Sequence, residues 1–249
     1  MNPIAPALPS SSLLLVRDGR GGLEVLMMQR AKTMRFAPGA LVFPGGKVDV
    51  ADAQNWRWQR YLQGNRHPMR DLAYRIAAAR ELYEEVGILL GHTRCKKPEL
   101  YEIPFEKALI RESLTLGVED MIPFAHWVTP ETLPRRFDTY FYLIADQGYV
   151  EKHDGNEAIS AKWVKPREIL SDWEDNKTPL MFPTRLNLMK LARSSTVAAA
   201  LIAVRQAPVV RTLPTLAMDG KQVNLTIPKE TGFGVTKATE RELSVEKPK

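Results

Sequence analysis

The spacing of apolar residues changes several times along this chain, and each change predicts an element. Residues 12–16 and 23–29 are two apolar runs separated by Asp18-Gly-Arg-Gly-Gly22, which predicts a β-hairpin closed by a loop rather than by a two-residue turn. Residues 40–43 read as a short buried strand that Pro44-Gly45-Gly46 stops. Residues 47–70 hold Trp56, Trp58, Tyr61 and Pro68 without a clear period and are expected to be irregular. From Asp71 the spacing turns helical. Leu72, Ile76, Ala79, Tyr83 and Val86 recur at steps of three and four, with Asp71 as N-cap and Gly87 just past the end. A second helix is expected over 105–116, strands over 121–128, 136–145 and 160–164, a short helix over 167–172 and one long helix over 184–205.

The ends follow a different pattern. Residues 1–10, rich in proline and serine, read as a flexible leader. Beyond residue 207 two β-like patches, 209–213 and 223–227, precede a charged stretch that begins at Lys237. Strands early, one helix between them and helices late predict an α+β domain over 11–206, a mixed β-sheet sandwiched between α-helices, with 207–249 as a C-terminal extension.

Composition narrows the functional classes. A chain of 249 residues, 44% hydrophobic and 26% charged, is an ordinary globular protein long enough to bury a core without staples. Its single cysteine, Cys95, excludes an intrachain disulfide and a cysteine-cluster zinc site, and fits a reducing compartment. No apolar run approaches the roughly 20 residues of a membrane span. The first residues lack a basic segment, and Glu246-Lys-Pro-Lys249 is not a peroxisomal address. Together these features predict a cytoplasmic protein with no membrane partner. The net charge of +6 suits either nucleic acid or a small polyphosphate in a basic cleft. Apart from pairs such as Lys96-Lys97 and Arg135-Arg136, the basic residues are scattered, so a long nucleic-acid track is not expected.

The richest chemistry lies in Arg80-Glu81-Leu82-Tyr83-Glu84-Glu85-Val86-Gly87-Ile88. On a helix Glu81 is a neighbour of both Glu84 and Glu85, which puts three carboxylates on one face while Ile76, Ala79, Tyr83 and Val86 turn to a core. Like charges so close repel unless a cation lies between them, and Mg²⁺ or Mn²⁺ prefers such oxygen donors. Arg80 is placed to pair with or orient one of the carboxylates. Upstream, Phe43-Pro-Gly-Gly46 leads a strand into a glycine turn, where bare backbone can approach a metal or a phosphate.

These residues resemble the Nudix hydrolase family, whose box reads G-x5-E-x7-R-E-U-x-E-E-x-G-U with U aliphatic. Residues 80–88 match its second half at every specified position. The first half departs: five residues on from Gly46 stands Asp52 instead of Glu, and 27 residues rather than seven separate Asp52 from Arg80. The excess marks an insertion at about 53–70, and Asp52 either replaces the first Glu or that role is lost. The resemblance implies the Nudix fold and hydrolysis of a diphosphate, with Glu81, Glu84, Glu85 and the Gly46 carbonyl as metal group. The general base comes either from the box, as Glu81, or from a loop beyond it, as Glu157.

A second constellation points to the substrate. Leu26-Met-Met-Gln-Arg30-Ala31, Arg35, Gly39 and Phe43-Pro-Gly-Gly46 resemble the motif of Nudix diphosphatases acting on coenzyme A. Arg30 and Arg35, beside the turn at Gly45, are suited to bidentate phosphate contacts. Residues 127–139 also resemble a branch with a long box insertion, represented in animals by peroxisomal coenzyme A diphosphatases. The implied reaction yields 3′,5′-ADP and a 4′-phosphopantetheine, with Mg²⁺ or Mn²⁺ as cofactor and a homodimer as candidate assembly. ADP-ribose or a dinucleotide as substrate, and a non-catalytic nucleotide-binding module, stay open as alternatives. His126 and His153 are read as packing or surface residues, Trp127 and Trp163 as core, Trp56 and Trp58 as packing on the fold in preference to stacking on adenine, and Arg135 and Arg136 as structural or ligand-facing.

Overall fold

The computed structural model describes residues 3–31, 33, 37–62, 71–91, 103–148, 161–219, 222–239 and 242. Strand β1 (Ala7–Gly19) is the spine of an eight-stranded mixed sheet. Its Leu13-Leu-Leu-Val16 run is fully buried on both faces, the pattern of a central strand covered above and below. One edge of β1 pairs in parallel with β6 (Arg136–Ala145) along ten positions, from Ala7↔Arg136 to Val16↔Ala145. Beyond β6 lie β5 (Ile122–Val128) and β8 (Arg211–Thr212).

The other edge of β1 is split. Its later half pairs with β2 (Gly22–Gln29) and its earlier half with β4 (Gly45–Lys47), through Ser12↔Gly45, Ser11↔Gly46 and Ser10↔Lys47. Strand β2 turns away to pair with β3 (Leu41–Val42) and, on its far edge, with β7 (Ala161–Val164). The segment 41–47 is therefore wedged into the opening between β1 and β2. Pro44 fits there because it needs no donor partner, while its carbonyl accepts from Leu13 N at 2.9 Å and from Ser12 Oγ at 3.0 Å.

Helix α2 (Leu72–Val86) crosses one face of this sheet, burying Leu72, Ile76, Ala79, Leu82, Tyr83 and Val86 against Leu13, Leu15 and Tyr142. It stops at Gly87, whose φ of 73° lets its N–H reach Tyr83 O at 2.7 Å. The short helices α1 (Asn55–Trp58) and α3 (Phe105–Arg111) pack on the same side. The opposite face carries α4 (Pro166–Glu174), α5 (Phe182–Leu191), α6 (Val197–Gln206) and a separate antiparallel sheet of β9 (Thr215–Asp219), β10 (Gln222–Thr226) and β11 (Lys237–Thr239). The α+β sandwich expected from the pattern is the one observed. No helix among the described residues is long and apolar enough to cross a membrane.

Several local expectations are corrected. Residues 7–10 belong to β1 rather than to a leader, because they continue its pairing with β6. The helix expected over 184–205 is two helices: Ser195 O accepts from Leu23 N and Val197 N donates to Asp18, so the β1–β2 hairpin holds the break, and Thr196 caps α6 through Ala199 N. The helix expected over 105–116 ends at Arg111, two residues before Ser113 takes a φ of 50°. The irregular stretch contains α1, and Gly45–Lys47, read as a turn, is strand β4. Asp71 does not cap α2 with its side chain; its carboxylate accepts from Arg75 Nε at 3.0 Å and the Tyr142 hydroxyl at 2.9 Å.

The C-terminal extension shares the second core: β8 pairs with β5, and Phe233 lies 4.9 Å from Trp127, ring centre to ring centre. Phe233→Ala should therefore cost about 3–5 kcal/mol of global stability. Urea denaturation measures it, and a loss below about 1 kcal/mol would show the extension to be an appendage.

Candidate active site

The turn from β4 and the last two turns of α2 meet over the wedge. A Cβ on Gly45 would overlap the Ser11 carbonyl and the Ser12 backbone; one on Gly46 would overlap the Glu81 carboxyl group. Only glycine lets the turn lie between β1 and the helix. The three small residues Ser10, Ser11 and Ser12, all buried, line its other side.

Arg80 organises the acidic side chains. Its Nε donates to Asp52 Oδ1 at 3.1 Å and its Nη2 to Asp52 Oδ2 at 2.9 Å and to Lys47 O at 2.9 Å. Nη1 reaches Glu81 Oε1 at 2.9 Å and Glu84 Oε2 at 2.8 Å, and Asp49 lies 3.7 Å from Nη2. Asp52 is completely buried and also accepts from Asp49 N at 2.8 Å. It stands where the box has its first Glu and takes up the partnership with Arg80, with its oxygens turned away from solvent. The structure thus assigns Asp52 a structural ion pair. Burial works to lower the Arg80 pKa, but the hydrogen bonds and charge of Asp52, with Glu81 and Glu84, outweigh it and hold the guanidinium above its ordinary value.

Glu85 points the other way and accepts from Gly45 N at 2.9 Å. The Gly45 amide expected to meet substrate is thus taken by a carboxylate. Burial pushes the Glu85 carboxyl up to about 7; the Gly45 amide and the Arg30 charge oppose the rise, while Glu81 and Glu84 add to it. Burial also raises Glu81, against the charge and hydrogen bond of Arg80. Arg30, half-buried, is thereby near enough for its charge to act on Glu85. Arg35, His153 and Glu157 lie outside the described residues.

The donor chemistry fits a hard divalent cation: three carboxylates at one helix end, beside the glycine backbone of β4. As the side chains stand, no three His, Cys, Asp or Glu groups among the described residues converge on one point. Glu81 and Glu84 are turned onto Arg80, and Glu85 onto Gly45. Gathering them is a matter of rotamers, since Glu84 is exposed and Glu81 only half-buried.

The remaining candidates fall outside this centre. His126 is buried, bonded to Asp138 and stacked on Tyr140 at 4.0 Å. Arg136 is buried and donates to Thr129 O and Ala5 O, while Arg135 is exposed over the Phe137 ring. Trp127 is core; Trp163 is partly buried beneath Arg17. Trp58 packs as expected, but Trp56 is 74% exposed. Sequence reasoning missed Lys47 and Asp49, which complete the Arg80 shell; only their position just after the glycine turn hinted at it.

The chain matches the family described as the NUDIX domain over residues 7–183. A Caenorhabditis elegans protein provisionally named nudix hydrolase 7 is 29% identical over 181 residues, which cover 68% of this chain and 56% of that protein. The Xenopus laevis acyl-coenzyme A diphosphatase NUDT19 is 27% identical over 230 residues, covering 68% of this chain and 59% of that one. The chain thus spans less than two thirds of the length of these relatives. The crystal structure of a Nudix hydrolase from Alicyclobacillus acidocaldarius, 27% identical, superposes with a TM-score of 0.67 over 84% of this chain and 100% of that one.

Two predictions separate fold from chemistry here. Gly45→Ala should unfold the wedge, because its clash is with backbone. Gly46→Ala should keep its thermal stability within a few degrees yet lose divalent-ion binding, because its clash is with the Glu81 side chain and not with backbone; Mn²⁺ titration of both variants checks this. The second concerns pH. The folded chain keeps a proton on Glu85 that the unfolded chain releases near 4.5. Ionised Glu85 therefore costs stability in full above pH 7, and the cost fades as pH falls from 7 towards 4.5. Without divalent ions, wild type should lose stability relative to Glu85→Gln between pH 5 and 7.5; parallel denaturation curves would contradict it.

Proposed function

Since this chain belongs to the Nudix family, we propose that it is a metal-dependent hydrolase that cleaves the diphosphate of coenzyme A or an acyl-coenzyme A. The products are 3′,5′-ADP and 4′-phosphopantetheine or its acyl form. The observation that carries the reading is the meeting of Gly45 and Gly46 of β4 with Glu85 and Glu81, with the Arg30 charge felt at the same place. The spacing of Arg30, Arg35 and Gly39 before the turn supports the substrate class, as does similarity to a protein named acyl-coenzyme A diphosphatase.

Glu81, Glu84, Glu85 and the Gly46 carbonyl would hold Mg²⁺ or Mn²⁺. When bound, such an ion lowers the pKa of the attacking water and neutralises charge on the diphosphate oxygens. Arg80 pairs with Glu81 and Glu84 beside β4 and stays protonated throughout. Glu81, whose proton affinity burial raises, is suited to take the proton from water within the box; Glu157 is the base supplied from outside it. Arg30 and Arg35 hold the phosphates by charge-assisted hydrogen bonds.

Hydrolysis is tested with Mg²⁺ and Mn²⁺ on coenzyme A, acetyl-coenzyme A, ADP-ribose and diadenosine polyphosphates, followed by product identification. Wild type should release 3′,5′-ADP, and Glu85→Gln should lose at least about a hundredfold in rate. Cleavage of ADP-ribose without coenzyme A would overturn the substrate; silence on every compound would overturn the activity.

A further inference from the structure

The insertion between Asp52 and Arg80 is docked by a specific set of contacts. Trp58, 2% exposed, sits between Tyr61 and Phe105, with ring centres 6.0 and 5.9 Å away. Phe105 in turn packs on Tyr83 of the catalytic helix at 5.8 Å. Next to Phe105, Glu106 receives three groups from the insertion: Arg57, through Nε at 2.8 Å and Nη2; Arg60 at 3.4 Å; and the Tyr61 hydroxyl at 3.3 Å. The Trp58 indole N–H donates to Ala51 O at 2.8 Å. Ala51 immediately precedes Asp52, the buried anchor of Arg80.

From these contacts we infer that Trp58 is a positioning residue for the carboxylates of α2. It holds the Ala51 carbonyl, which places Asp52; Asp52 holds Arg80; and Arg80 directs Glu81 and Glu84. Glu106 fixes the inserted helix from the other side, so that Trp58 presents its N–H at that carbonyl. The insertion thereby supports the loop that it interrupts. The inference rests on the reading above only in taking Glu81, Glu84 and Glu85 as cation ligands.

The test is binding of Mn²⁺ to the full chain, read from the electron paramagnetic resonance signal of the free ion, with unfolding temperature measured in parallel. Trp58→Phe keeps an aromatic ring against Tyr61 and Phe105 but loses the N–H. Its Mn²⁺ dissociation constant should rise roughly three- to tenfold, the equivalent of one hydrogen bond of ordinary strength. Glu106→Gln should shift affinity in the same direction, and it decides the matter alone if Trp58→Phe does not fold. Phe233→Leu, on the opposite face, should lower the unfolding temperature and leave Mn²⁺ affinity unchanged. Folded Trp58→Phe binding Mn²⁺ like wild type would overturn the inference, as would an equal loss of affinity in Phe233→Leu. A wild type that binds no Mn²⁺ would instead remove the ligand assignment, and this inference with it.

Discussion

The ion pair between Arg80 and Asp52 is the constraint on which the centre depends. A carboxylate with no exposed surface is costly unless a cation and hydrogen bonds replace its water, and Asp52 receives both from Arg80 and the Asp49 amide. Once Arg80 is held there, its remaining N–H groups can only point to Lys47 O, Glu81 and Glu84. The chain between the two partners can lengthen because sheet and helix set their separation. Closing a longer loop adds only a logarithmic entropy cost, about 0.6 kcal/mol per doubling. Here the added residues recover part of that cost by burying Trp58 and Tyr61.

The second constraint is steric. Strand β1 serves three neighbours, β6 along its length and β2 and β4 in succession on its other edge. That division brings the Gly45-Gly46 backbone under the end of α2, and both glycines are needed for different reasons. Gly45 lies against the β1 backbone, which cannot yield, whereas Gly46 lies against a side chain, which can. The same short strand thus carries one glycine held against backbone and one held against the Glu81 side chain.

What could be read from the sequence followed the range of the interactions. The helix that carries Glu81, Glu84 and Glu85 was legible because its period, its terminating Gly87 and its half-motif are local. The role of Asp52 was not, since choosing between replacement and loss required knowing that its carboxylate meets Arg80 across the inserted residues. The break between α5 and α6 was missed although the polar run Arg193-Ser-Ser-Thr196 interrupts the apolar spacing there; Asp18 and Leu23 of a distant hairpin hold it open. The patches near 209–213 and 223–227 were visible as strands, but their joining of the second core depends on Phe233 meeting Trp127. Asp71 does stand at the N-cap of α2, but its carboxylate serves Arg75 and Tyr142 instead of the helix amides, and Tyr142 becomes its partner only when β6 lies under α2.

The carboxylates of α2 pose a problem that two different cations can solve. Glu81, Glu84 and Glu85 repel one another at the spacing a helix imposes. In the structure Arg80 neutralises Glu81 and Glu84, while Glu85, beyond its reach, is left to the Gly45 amide, the Arg30 charge and a raised proton affinity. A divalent ion would draw on the same oxygens, so arginine and metal compete for Glu81 and Glu84. Arg80 can release them without becoming unpaired, because Asp52 and Lys47 O keep four of its bonds. Were Asp52 absent, Arg80 would keep little besides Lys47 O and the carboxylates, and the ion would have to break a tighter bond to gather them. The buried aspartate therefore does more than anchor a loop: it sets how readily Glu81 and Glu84 become available.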